Sequence, residues 1–453
     1  MTKTCLHGAW LGLAMAVLVS CGGGGGGGGM PNVAGGTAAG PAGAPAGNTS
    51  QQSLLDRTVS PMSPAGGGSG PGATGSGSGG GGTSVAGGDD GSGVGSGGTG
   101  VTTADATGIG AVDGAGSIVV NGVHYNTDSA VVALDDVPGL QLGMTAKVIG
   151  PFDSALTAGT AMRVESAIDL RGPVSAVDAQ QAGFTILGMA VTTDSDTVWA
   201  DAPGIADVAP GATLQVWGLP SGPGSLRATR VEVHASGTPI VSGVVQNLDP
   251  LARRFSVGGY AIDYGQTTMT GVSAALPFAN GVLVRVRVNA VGAGLLVASA
   301  VQLWYPAPTV DGTPLQLAGV VTDFAGLGSL RVLGVPVDAA AAKVSGGPAS
   351  SLGNGVKVIV GGMLASGVLQ ASTLKIRLVP GTGGQPSFSL SGQISTFNSI
   401  ADFRIKGQPI DASGPGVSFV NGSAANLAAH VQVTVEGSRV VNGVLIADSV
   451  TFQ

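Results

Sequence analysis

In the stretch VLVRVRV, residues 282–288, Arg285 and Arg287 alternate with Val282, Val284, Val286 and Val288. Successive side chains of a strand point to opposite faces, so the two arginines share one face about 7 Å apart, two residues at ~3.4 Å each. Arg253 and Arg254 open the preceding hairpin, and Lys357, Lys375 and Arg377 occupy comparable strands further on. Aligned, these seven cations would form an anion-binding stripe, with the arginine fork suited to bidentate capture of phosphate or carboxylate. Charge is uneven along the chain, whose net value is −7. Residues 106–170 hold 2 basic and 7 acidic groups, residues 171–235 hold 3 and 6, residues 240–305 hold 4 and 2, residues 315–379 hold 5 and 2, and residues 387–453 hold 3 and 4. A polyanion-binding stretch, electrostatic stacking of neighbouring units and a plain solvated face all fit this change of sign, the last being the commonest.

Other candidate chemistry is sparse. His124, His234 and His430 fall in strands of different units, at non-equivalent positions and without a His or Cys companion nearby in sequence, so no metal site is expected. No G-x-S-x-G elbow or H-E-x-x-H motif occurs. Asp135-Asp136 and the acidic TTDSDT (192–197) lack the ligand spacing of a calcium loop and read as solvated turns. Trp217 and Trp304 lie in or beside strand patterns, where packing is the commoner role, and Trp199 sits at a loop-like position where a sugar could stack. No catalytic residue and no cofactor is expected.

The elements that must position these residues form a repeat. SIVVNGVHY (117–125), FTILGMAV (184–191), FSVGGYAI (255–262), LRVLGVPV (330–337) and FRIKGQPI (403–410) share one pattern, with glycines at 122, 188, 259, 334 and 407. A Gly-led strand precedes each, as in GVVTDF from Gly319, and a strict alternation follows, as in VKVIV (356–360) and VQVTV (431–435). Each unit closes on a fourth pattern such as LQASTLKI (369–376). The x-Gly step predicts a two-residue hairpin turn, strongest at Asn121-Gly122, because both central residues of a type I′ turn need positive φ. About five strands in roughly 65 residues predict an all-β unit curled into a small barrel, which removes sheet edges. Phe184, Phe255 and Phe403 are expected in its interior. Five such barrels are expected, over 106–170, 171–237, 238–306, 315–380 and 387–453, with ASGTPI (235–240) and PAPTVDGTP (306–314) as linkers that few contacts cross.

Residues 1–20 combine Lys3 with the apolar run AWLGLAMAVLV (9–19), a length that suits a signal peptide and is too short to span a bilayer. The LVSC at 18–21 resembles the lipobox of bacterial lipoproteins, which implies cleavage before Cys21 and acylation of that residue. Gly22, in place of the Asp that retains enteric lipoproteins at the inner membrane, makes the outer membrane the implied address, on its periplasmic face or at the cell surface. Residues 21–105 are almost wholly Gly, Ser, Ala, Thr and Pro, a composition expected to stay disordered and to act as a leash of roughly 50 Å reach, at ~5–6 Å × √n.

The ordered recurrence of these patterns over residues 106–453 resembles a family of uncharacterised repeated β-domains of bacterial secreted lipoproteins, carried in tandem behind a glycine-rich leader. The barrel is also similar to the oligonucleotide/oligosaccharide-binding fold, which implies binding at most. The expectation is a lipid-anchored envelope protein with a binding, adhesive or scaffolding role. Its expected partner is the membrane through its anchor, together with an envelope polysaccharide or another envelope protein, and no nucleic acid. The alternative is an envelope hydrolase with a site between adjacent units, which would need Asp, His or Glu from two units to face one groove.

Overall fold

The structure, a computed structural model, describes residues 106–453 except 116–117, 154–155, 203, 235, 293 and 380–387. Cys21, the apolar run and the glycine-rich stretch lie outside the described residues. The described residues are all-β, with three short 3-10 turns and no α-helix. None of their helices is long and apolar enough to cross a membrane.

Each unit follows one strand order, clearest in the fourth. The lead strand Pro314–Gly326 pairs antiparallel with Ser329–Val332, the first arm of the hairpin. The second arm, Val335–Asp338, runs parallel to the closing strand Val368–Leu378. The long strand Lys357–Ala365 lies antiparallel between closing and lead strands. A short strand absent from the sequence reading, Lys343–Ser345, adds to the closing strand in parallel. Four of the five hairpin turns form as expected, with positive φ at both positions of Asn121-Gly122, Leu187-Gly188, Leu333-Gly334 and Lys406-Gly407, whereas in the third unit Gly258 holds positive φ and Gly259 does not. Period-2 alternation does the packing. Val284, Val286 and Val288 point inward and are buried, each contributing roughly 1.5–3 kcal/mol. Phe184, Phe255 and Phe403 are buried as well.

The expectation of five discrete OB-like barrels is overturned. The described residues are arranged as a β-solenoid of about 10 turns, and their sheets run on across the unit boundaries. The lead strand of the first unit, Thr107–Ala115, pairs in parallel with that of the fourth through Ile109↔Leu317 and with that of the fifth, Phe388–Ser399, through Gly114↔Ser389. The lead strands of the second and third units, Leu170–Asp178 and Ile240–Val244, pair through Val241↔Leu170. The cores merge too. One apolar cluster contains Leu170 and Ile186 of the second unit with Phe255 and Val286 of the third. Ile109 enters the core of the fourth unit, Leu142 and Val198 enter that of the fifth, and Met144, Ile168, Trp217 and Ile240 make a small core shared by three units.

The expected linkers are therefore not linkers. Ile240 is a paired, fully buried strand residue. Pro306 accepts a hydrogen bond from Lys147 Nζ at 3.2 Å. A pattern that repeats every 65 to 75 residues specifies each unit's strands. It does not tell whether a lead strand's outer edge stays free or pairs with a distant copy.

Candidate functional site

Three charged seams between units hold most of the residues singled out above. In the first, Arg285 and Arg287 project from the strand Leu283–Val291, opposite its core valines. Arg285 is only 2% exposed. Its Nε donates to the Ile168 carbonyl at 2.7 Å, Nη1 to Asp135 at 2.8 Å and Nη2 to Asp136 at 3.1 Å, and its guanidinium lies 5.3 Å from the Trp304 ring. Arg287 Nη2 donates to Asp135 at 2.6 Å and to Asp136 at 2.8 Å, and Arg171 approaches Asp136 at 3.7 Å. Burial alone would raise the Asp135 carboxyl; Arg287 and Arg285 outweigh it and hold it below its ordinary value.

The second seam centres on Asp169, which is 2% exposed. Its carboxylate accepts from Thr145 Oγ1 at 2.7 Å, the Gly218 amide at 2.9 Å and Trp304 Nε1, joining the first three units. Burial pushes its pKa up to about 6 despite those donors. Tyr305 donates to the Thr145 carbonyl at 3.0 Å and caps the cluster.

The third seam lies between the first, second and fourth units. Lys357 Nζ sits 2.9 Å from Asp196 and 3.6 Å from Asp194, Arg227 donates to Asp194 at 2.9 Å, and Arg377 stands 3.9 Å from Asp113. Burial raises the Asp113 carboxyl, against the pull of Arg377 and Lys357. Here acids of two units do converge beside a cavity, but it measures ≈40 Å³, enough for a few waters and too small for an organic substrate.

The change of charge sign along the chain now has a physical cause. Acids of the first two units pair with cations of the third and fourth across the fold, joining non-neighbouring units and not the successive neighbours that the electrostatic-stacking expectation named. The seven predicted cations do not form one outward stripe. Arg285, Arg287, Lys357 and Arg377 face carboxylates within the protein. Arg254 makes an exposed pair with Asp263 at 3.5 Å, and Arg253 lies 5.9 Å from the Tyr264 ring. Lys375 is exposed on the closing strand of the fourth unit. Asp135, Asp136, Asp194 and Asp196, expected in solvated turns, are the partners in these seams. Trp199, expected in a loop, lies in the two-residue strand Val198–Trp199 and is buried, and Trp217 and Trp304 are buried elsewhere in the fold. No group of three or more metal-ligating side chains occurs among the described residues. Asp169, Tyr305 and Arg171 escaped the sequence reading, since no motif distinguishes a buried acid from a surface one. The uneven charge was the one available signal.

No curated protein matches this chain. A solved structure titled "drosophila Unr CSD456" is similar at 14% identity over 46% of this chain and 98% of its own, with a TM-score of 0.13, too loose a superposition to bear on fold. Residues 171–232, 242–302, 318–375 and 391–451 each match one family, and these segments coincide with the second to fifth units. The first unit lies outside them, yet it repeats their strand order, with Val123–Asn126 and Val131–Asp135 each parallel to a closing strand. Together the matched segments cover more than half of the chain, which therefore belongs to the family described as a domain of unknown function (DUF5666), here in tandem copies.

Proposed function

We propose that this chain is a lipid-anchored protein of the outer membrane, acylated at Cys21 and tethered by its glycine-rich segment, whose β-repeats serve as one rigid binding or scaffolding body. The observation that supports the rigid body is the set of ion pairs linking non-neighbouring units, Asp135 and Asp136 to Arg285 and Arg287 and Asp196 to Lys357. A body braced in this way presents its grooves and loops in a fixed relation, as a scaffold or a multi-contact binder requires. The partner class is an envelope polysaccharide or another envelope protein.

The anchor is tested by Cys21→Ala, which should abolish incorporation of a clickable palmitate analogue and release the chain from the membrane fraction, because a stable anchor takes the acyl chains. Unchanged labelling refutes the lipobox assignment. The binding role is tested by capture from envelope extract with the full chain. Recovery of a polymer or envelope protein that resists washing at low salt supports it.

A further inference from the structure

The lead strand of the fifth unit reads FSLSGQIS over residues 388–395. Leu390 and Ile394 face the core, so Ser389, Ser391, Gln393 and Ser395 line up on the opposite face at intervals of ~7 Å. Parallel pairing with Thr107–Ala115 fixes one end of this row. The row lines a cavity of ≈550 Å³, together with His124, Gln432 and Lys406. A second cavity of ≈450 Å³ shares Ala115 and Lys406 with it and adds Arg404, Arg230 and Gln408. Its far wall is the hairpin tip at Gly443, whose amide donates to the Trp199 carbonyl at 2.9 Å.

The chemistry of this double trench departs from that of the whole molecule. The chain is net acidic, yet no carboxylate lines either cavity among the described residues, and three cations do. Arg230 is held by Glu232 at 2.6 Å and by the Leu142 carbonyl at 2.9 Å. Arg404 is exposed, and its Nη1 donates to the Gly407 carbonyl at 3.2 Å. Hydroxyl and carboxamide groups at a strand repeat suit the hydroxyls of a sugar chain, and Lys406, which lines both cavities, and Arg404, which lines the second, suit its carboxylates. The combined size falls in the range of small-molecule sites, enough for a few sugar residues. We propose that this trench binds a carboxylated oligosaccharide, with the Ser389–Ser395 row meeting its hydroxyls and Lys406 and Arg404 its charge. This rests on the polymer-binding reading above and assigns it a place.

The test is calorimetric titration of the full chain, in detergent, with tetragalacturonate and with neutral maltotetraose. The double variant Arg404→Gln, Lys406→Asn removes both charges, and Asn tolerates the positive φ of 48° at residue 406. Arg331→Gln is the control: Arg331 occupies the same position in the fourth unit, with the same bond to a turn carbonyl, Gly334, at 2.7 Å, and lines neither cavity. The expected result is binding of tetragalacturonate over maltotetraose, weakened about tenfold or more in the double variant and unchanged in Arg331→Gln, as for lost charge-assisted contacts. Equal affinity in the double variant, an equal loss in Arg331→Gln, or no preference for the acidic sugar overturns the proposal. If the double variant still captures an envelope polymer as the wild type does, the binding reading stands and the trench assignment fails. A wild type that binds neither the sugar nor any envelope component defeats both.

Discussion

Replacing Arg285 with Met tests whether the charged seams brace the fold. The substitution keeps an unbranched apolar stem of similar length, so the local packing stays nearly filled. It removes the donor to the Ile168 carbonyl, a buried acceptor whose loss of partner costs about 1–3 kcal/mol. It removes two ion pairs to partly solvated carboxylates, worth about 0–1 kcal/mol each because Asp135 is 49% exposed. The contact with the Trp304 ring adds about 0.5–2 kcal/mol. The expected loss is about 3–5 kcal/mol, in line with the cost of removing one partner of a buried pair. Urea unfolding followed by fluorescence of the buried tryptophans measures it, with Arg331→Ala, an exposed arginine paired with an exposed acid, expected within about 0.5 kcal/mol of wild type. Because the Asp135 carboxyl is held below its ordinary value, the seam's contribution is complete above the unfolded carboxylate range and fades as pH falls through the folded value. The gap between wild type and Arg285→Met should therefore narrow in acid. A loss below about 1 kcal/mol at neutral pH would mean that Arg285 behaves as a solvated surface residue, and the reasoning fails.

Asp169 predicts the opposite pH trend. Its folded pKa of about 6 lies above its ordinary 3.8, so the folded state takes up a proton first and stability falls as pH rises from about 4 to 6, then levels. The slope amounts to at most about 3 kcal/mol, at 1.36 kcal/mol per unit, and should vanish in Asp169→Asn; urea midpoints between pH 4.5 and 7.5 that fall equally in both proteins contradict it. Gly114→Ala places a Cβ 2.1 Å from the Ser389 carbonyl, so the lead strands of the first and fifth units must part, at a cost of about 1–3 kcal/mol. Gly353→Ala meets nothing within 4 Å and should melt with the wild type, a comparison that differential scanning calorimetry makes directly.

Much of the unit was legible in the sequence because its signals are local. Asn121-Gly122 and Lys406-Gly407 can turn a chain only one way in two residues, and Val284, Val286 and Val288 can face a core only from one side of a strand. Even the first unit, outside the family match, was visible through these patterns. What was not legible is set by distance. Nothing in TGIGAVDGA, residues 107–115, says that Ile109 will pair beside Leu317. An edge strand's free amides and carbonyls accept any partner of suitable register, so the closed barrel expected of an isolated unit loses to pairing between copies. The same holds for the seams. Arg285 alternating with valines reads as an outward charge whether solvent or another unit lies beyond. Only the opposite signs of the acidic and basic units hinted that the second case applies. Tyr305 and Asp169 gave no hint, since burial makes them what they are.

Successive units share one continuous fold, and the sharpest check of this is to cut the chain between residues 237 and 238. The cut separates the pair Leu170↔Val241 and divides the apolar cluster that holds Ile186 together with Phe255 and Val286. Fragments 105–237 and 238–453, made separately, should be molten or insoluble, with poorly dispersed amide spectra, and mixing them should restore native dispersion. Two fragments that each fold alone, with dispersed spectra and cooperative unfolding at the stability of the intact chain, would contradict it.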